Sequence, residues 1–229
     1  MKFLSGLFNR PSTPSNSTSY RDPCLPRYDL LGSSLFNGTY KLDKILEGFK
    51  YDFIYEVIKI ETGEVFACKP MYGWQADDEA KLHQSCSRVS KHVAKVRGLQ
   101  VVEEWPYTYM ITDIYRGGDL YRQISKNRHT LLNDETIKEI FNQILDGVED
   151  CHRIGVFLRN LEPENILFKE HSNEIVITEF RRATKADVDM FPPLDNAFAA
   201  PGTAVCRILF FLANRLCRNS ASAPIFTNR

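Results

Sequence analysis

The stretch from Val156 to Phe168 concentrates the side chains best placed to do chemistry. It runs as an apolar pair, a polar turn carrying Asn160, Glu162, Pro163, Glu164 and Asn165, and an apolar run Ile166-Leu167-Phe168. That is the pattern of a loop presenting polar groups between two short strands. Asn160 is a neutral amide, with no oxygen basic enough to take a proton near neutral pH. Other reactive types are scattered. Lys69 closes an apolar strand pattern, Cys151-His152 has no companion ligands, and the six cysteines form no Cys-x-x-Cys pair. That cysteine usage favours reduced thiols in the cytosol or nucleus over a zinc site or a disulfide framework.

Elements able to position these groups follow from periodicity. Tyr40 to Leu46, Phe53 to Ile60 and Val65 to Lys69 read as a meander, with Gly63 in the second turn. Asp77 to Cys86 reads as a helix with acids in its first turn, where they suit the positive end. Val93 to Val102 and Tyr107 to Ile114 read as two further strands, and Gly117-Gly118 as a linker. Ile137, Ile140, Phe141, Ile144, Leu145 and Val148 recur at spacings of three and four, the stripe of an amphipathic helix over Thr136 to His152 that starts in Leu132 to Glu135.

The 229 residues, 43% hydrophobic and 25% charged, fit an ordinary globular protein with room for a domain and a small second lobe. Balanced charge, 29 basic against 29 acidic residues, argues against a nucleic-acid partner. No run suits a signal peptide or a membrane span. Residues 1–39 read as a flexible leader, rich in Ser, Thr, Pro and Asn from Asn9 to Pro26.

In order and spacing these features resemble the protein kinase family, chiefly the calcium/calmodulin-dependent-kinase-like Ser/Thr branch. Arg159, Leu161, Pro163, Glu164 and Asn165 match in register the catalytic loop His-Arg-Asp-Leu-Lys-Pro-Glu-Asn; Leu158, Asn160 and Glu162 depart from it. The resemblance implies an α+β, two-lobed fold. Its N-lobe, residues 40–112, would hold a five-stranded antiparallel sheet and the αC helix. A partial helical C-lobe would follow over 113–202, and an apolar remnant with a tail over 203–229.

It also implies roles. Leu46, Gly48 and Tyr51 stand where three glycines cover ATP phosphates, so one glycine of three remains. Lys69 would reach those phosphates and pair with Glu79. Thr112 would be the gatekeeper, Asp113 and Tyr115 would meet the adenine edge, and Asp119 would face the ribose. Leu167 completes the nucleotide set, and Asn165 with Glu179 would hold Mg²⁺. Asn160 replaces the catalytic Asp, and Glu162 places an anion where the family's Lys contacts the transferred phosphate. Arg181, replacing the glycine of Asp-Phe-Gly, either steadies phosphates in the lysine's stead or drifted once activity was lost.

The C-terminal side is short. Phe198 to Gly202 resembles the Ala-Pro-Glu stretch, with Gly202 in place of its Glu. Ala204 to Cys217 resembles a remnant of the αF helix, whose apolar surface would be covered by refolding, a second copy, another kinase or substrate, or a membrane surface. Two functions compete: a pseudokinase acting as a binding or regulatory module with weak or absent ATP and Mg²⁺ binding, and a low-activity ATP-dependent Ser/Thr kinase.

Overall fold

The computed structural model describes residues 31–49, 52–72, 76–102, 107–126 and 133–186. Among them the strands are β1 (Ser34–Leu35), β2 (Tyr40–Phe49), β3 (Asp52–Lys59), β4 (Val65–Tyr72), β5 (Val96–Val102), β6 (Tyr107–Thr112), β7 (Val156–Phe157), β8 (Ile166–Phe168), β9 (Ile175–Ile177) and β10 (Thr184–Lys185). The helices are α1 (Ala76–Val89), α2 (Leu120–Lys126) and α3 (Asp134–Arg153), with a 3₁₀ turn over Pro163–Asn165. The expected segments 187–202 and 204–217, most of the leader, and Tyr51 lie outside the described residues.

The chain forms two compact units. Among the described residues, the first holds those from 31 to 77 and Val96–Ile114; the second holds Asp78–Lys95 and those from 115 to 186.

The first unit is a sheet of six strands rather than five, in the order β1-β2-β3-β4-β6-β5, every pairing antiparallel. The additional strand is β1, in a stretch expected to be leader; it pairs with Tyr40 and Lys41 and buries Leu35. Its turn reaches the far end of the strand order. The Phe36 N–H donates to the Gln100 side chain at 2.6 Å, and the Phe36 ring lies so close that a Cβ on Gly98 would stand 2.9 Å from it. The sheet therefore curls, and β5 is covered at that point, which blunts an otherwise open edge. Leu42, Tyr55, Val57, Cys68 and Ile111 form the core. Glu56, buried within β3, is matched by Lys44 on β2 at 3.0 Å. In the β3–β4 turn Gly63 has φ +71°, and its N–H donates to the Lys59 carbonyl at 2.8 Å.

In the second unit α3 buries Ile137, Ile140, Ile144, Val148 and Cys151. Asn133 caps it, accepting the Thr136 N–H at 2.7 Å. Gly155, at φ +76°, ends it with an N–H donated to the His152 carbonyl at 2.9 Å. Two expectations change here. Val93 does not begin the β5 strand but bridges Ile177 in parallel fashion, with the Ala94 N–H on the Ile177 carbonyl at 2.9 Å. From Asp78 onward α1 belongs to this unit rather than to the sheet, because its buried side, His83 and Cys86, packs on Phe180 and into the α3 core.

Candidate functional site

The loop after β7 is held from within the second unit. Leu158 and Leu161 are buried at 4% and 2% exposure and anchor it on either side of Asn160. Leu158 is the substituted histidine position, and an apolar side chain suits this core. Between them the chain reverses: Arg159 adopts φ +59°, and the Asn160 N–H donates to the Leu158 carbonyl at 2.8 Å. A non-glycine residue with positive φ stores strain that the surroundings must hold, a feature concentrated at functional sites. Pro163 starts the 3₁₀ turn, closed by the Asn165 N–H on the Glu162 carbonyl at 2.9 Å.

Asn165 then ties the loop together. Its side-chain amide donates to the Asn160 carbonyl at 3.0 Å, while its own carbonyl accepts the Thr178 N–H at 3.1 Å from the segment after β9. That segment carries Glu179, whose carboxylate accepts the Arg181 backbone N–H at 2.7 Å. Phe180 is fully buried and stacks on His83 of α1, ring centroids 4.3 Å apart and nearly parallel at 13°. His83 Nε2 lies 3.0 Å from the Ala94 carbonyl. β10 pairs with β7 and closes the strip beneath the loop.

The other expected residues divide between the units. In the first, Leu46 stands at a register break between Ile45 and Glu47, and Gly48 pairs opposite Phe53, so the β2–β3 ladder runs to Phe49 and Asp52. Lys69 is half-buried on β4 opposite Met110, and Thr112 closes β6 opposite Ala67 and Val96. Asp113 follows, its carboxylate gripped by the Arg97 guanidinium at 2.6 and 2.9 Å. This two-point geometry pins the strand end at little energetic gain on an exposed surface.

In the second unit Glu79 is buried on the first turns of α1. The Tyr115 hydroxyl accepts the Lys95 N–H at 2.9 Å. Asp119 caps α2, accepting the Arg122 N–H at 2.7 Å, and its other oxygen meets Arg122 Nε at 3.1 Å. Its backbone also bridges that of Leu167, bringing two residues of the expected nucleotide set together. Among the described residues no three His, Cys, Asp or Glu side chains gather as a metal site.

Sequence reasoning missed Arg97 and His83. Nothing local marks Arg97, whose partner lies beyond a strand turn. His83 had a signal: it falls one helical turn after Glu79, on the same buried face.

Comparison with known proteins decides the family, since the model of the protein kinase domain matches residues 43–201. The chain belongs to the protein kinase family. This kinase chain is 30% identical over 152 residues to the SNF-related serine/threonine-protein kinase of Homo sapiens, covering 65% of this chain and 20% of that one. It is 27% identical over 165 residues to CBL-interacting protein kinase 19 of Oryza sativa subsp. japonica, covering 68% and 31%. With CBL-interacting serine/threonine-protein kinase 12 of Arabidopsis thaliana the identity is 27% over 177 residues, covering 73% and 34%. These relatives place it in the calcium/calmodulin-dependent-kinase-like Ser/Thr branch, and the match spans a fifth to a third of their length. Kinase domains of this family use ATP and Mg²⁺.

Proposed function

We propose that this kinase-fold chain is a pseudokinase, a binding or regulatory module that recognises a protein partner without phosphorylating it. The observation that carries the reading is Asn160: an amide at the position of the catalytic base, in a loop that otherwise keeps its built geometry. The amide cannot accept a substrate hydroxyl proton. Glu162 adds an anion where phosphate would lie.

The donor set does not fit Mg²⁺ as the family uses it. A magnesium ion takes oxygen ligands in near-octahedral array, one or two of them carboxylates. Here the Glu179 carboxylate is turned onto the Arg181 N–H, and the Arg181 side chain adds a cation to the same segment. ATP and Mg²⁺ binding is accordingly weak or absent on this reading, and no transfer step is assigned. The partner is a protein, the cysteine usage suits the cytosol or nucleus, and two of the relatives are themselves named as CBL-interacting kinases. The runner-up, a low-activity Ser/Thr kinase, draws on the retained Lys69, Asn165 and Glu179.

Thermal-shift titration with ATP, with and without Mg²⁺, tests binding, because a ligand specific for the folded state raises the melting temperature. A radiolabelled phosphate-transfer assay on the parent and Asn160→Asp tests chemistry. The expected result is no Mg²⁺-dependent stabilisation and no transfer by either protein, since Glu162, Glu179 and Arg181 remain in the variant. Robust transfer by contaminant-free parent protein overturns the reading in favour of the enzyme.

A further inference from the structure

β1 is short, so its turn decides whether it keeps its place on the sheet. Among the described residues it pairs at Ser34 with Lys41 and at Leu35 with Tyr40. Two bonds extend the pairing, the Leu42 N–H on the Ser33 carbonyl at 2.9 Å and the Gly32 N–H on the Leu42 carbonyl at 2.7 Å. The turn runs from Phe36 to Thr39. The Phe36 carbonyl accepts the Thr39 N–H at 3.1 Å and the Thr39 hydroxyl at 2.7 Å. Between them Asn37 and Gly38 are both left-handed, at φ +53° and +86°, as the tightest hairpin turn requires. Phe36 is itself left-handed at φ +53°, a strained conformation for a bulky side chain, held by Gln100 and the close approach to Gly98. Asn37, Gly38 and Thr39 are exposed, and nothing lies within 4 Å of a Cβ on Gly38. Asn37-Gly38 is also the one Asn-Gly pair in the sequence.

We propose that Asn37 is a self-modifying site, converted to isoaspartate through attack by the Gly38 backbone nitrogen, and that this conversion unfastens β1. The nitrogen bonds to the Asn37 side-chain carbonyl carbon and the bond from that carbon to Nδ2 breaks. Nδ2 leaves as ammonia, carrying the proton that the Gly38 nitrogen sheds, and a cyclic imide remains. Water then opens the ring at one of its two carbonyls. Opening at the main-chain carbonyl leaves isoaspartate, in which the chain runs through the former side chain and is longer by one carbon. Nothing is oxidised or reduced. Gly38 suits the step because no side chain shields its nitrogen. Ring closure needs rotation about the Asn37 ψ, which the two bonds on the Phe36 carbonyl resist, so it passes through brief openings of this exposed turn. The lengthened link cannot restore the turn, because loop length sets the pairing of a hairpin. Phe36 then leaves Gly98 and Gln100, and β5 loses the cover over its open edge.

The test holds the folded full chain in mildly alkaline buffer for several days. Its peptides are then mapped by mass and by methyl transfer from S-adenosylmethionine with an isoaspartyl methyltransferase. The expected result is isoaspartate at Asn37, while the exposed Asn142 and Asn173, followed by Gln and Glu, stay amides. Hydrogen exchange reads the release directly: the Leu42 N–H, bonded to Ser33 in the intact protein, should exchange about tenfold faster or more in the modified molecules. Asn37→Gly is the control, since glycine accepts the left-handed turn and carries no amide. It should stay unmodified and keep the Leu42 protection through the same incubation. Recovery of Asn37 as the amide, or as ordinary aspartate alone, overturns the site. Isoaspartate with unchanged Leu42 exchange overturns the release of β1, and an equal loss of protection in Asn37→Gly overturns the link between the two. None of these outcomes depends on nucleotide binding or phosphate transfer.

Discussion

Replacing Gly117 by Ala sets a methyl group against backbone. The added Cβ would stand 2.6 Å from the Phe168 Cβ and 2.7 Å from the carbonyl oxygens of Phe168 and Lys169, where ordinary contact begins at 3.4 Å. Two of the three obstacles are main chain, so no rotamer change relieves them. The linker must lift from β8, weakening the Gly117 N–H to Phe168 carbonyl bond at 3.1 Å and the Phe168 N–H to Gly118 carbonyl bond at 2.9 Å. Each is worth about 1 kcal/mol, and overpacking adds about 1–3 kcal/mol. A loss of about 3 kcal/mol or more lowers the melting temperature of a chain this size by roughly 6–12 °C. Gly63→Ala is the control: its φ is +71° but nothing lies within 4 Å of the new Cβ, so only the left-handed strain of about 1 kcal/mol is incurred. Thermal melts of the two variants beside the parent check the reasoning. A Gly117→Ala protein that melts no lower than Gly63→Ala refutes it.

Two further perturbations follow from the second unit. Asn133→Ala removes the cap of α3 and should cost about 1 kcal/mol, a melting point lower by roughly 2–4 °C, read by circular dichroism; an unchanged melt counts against the cap. Burial lowers the pKa of His152 from its ordinary 6.5. Its folded pKa lies below the unfolded one, so its contribution to stability is full above 6.5 and is lost as pH falls towards the folded value. Melting temperatures followed downward through that window should decline in the parent and decline less in His152→Gln; equal slopes would remove His152 from the account.

How much was legible depended on the range of each interaction. The loop from Val156 to Phe168 could be found because its turn residues and flanking apolar runs sit within a dozen positions, and α3 because Ile137, Ile140 and Ile144 repeat on one face. The Gly63 hairpin was likewise local. Less legible were partnerships between distant segments. Val93 looked like the first residue of a strand, and its bridge to Ile177 drew it into the other unit. Ser34 and Leu35 looked like leader, and the approach of Phe36 to Gln100 gave them a place on the sheet.

The amino-acid order alone determined the elements and the replaced groups, because helix and strand periods, caps and turns act over a few residues, and an amide is not a base in any fold. Only the tertiary structure decided that His83 stacks on Phe180, that Arg97 grips Asp113, and that Cys86 and Cys151 share one core. These are contacts between segments that a chain can bring together in many ways, and close packing of two cores selects one of them.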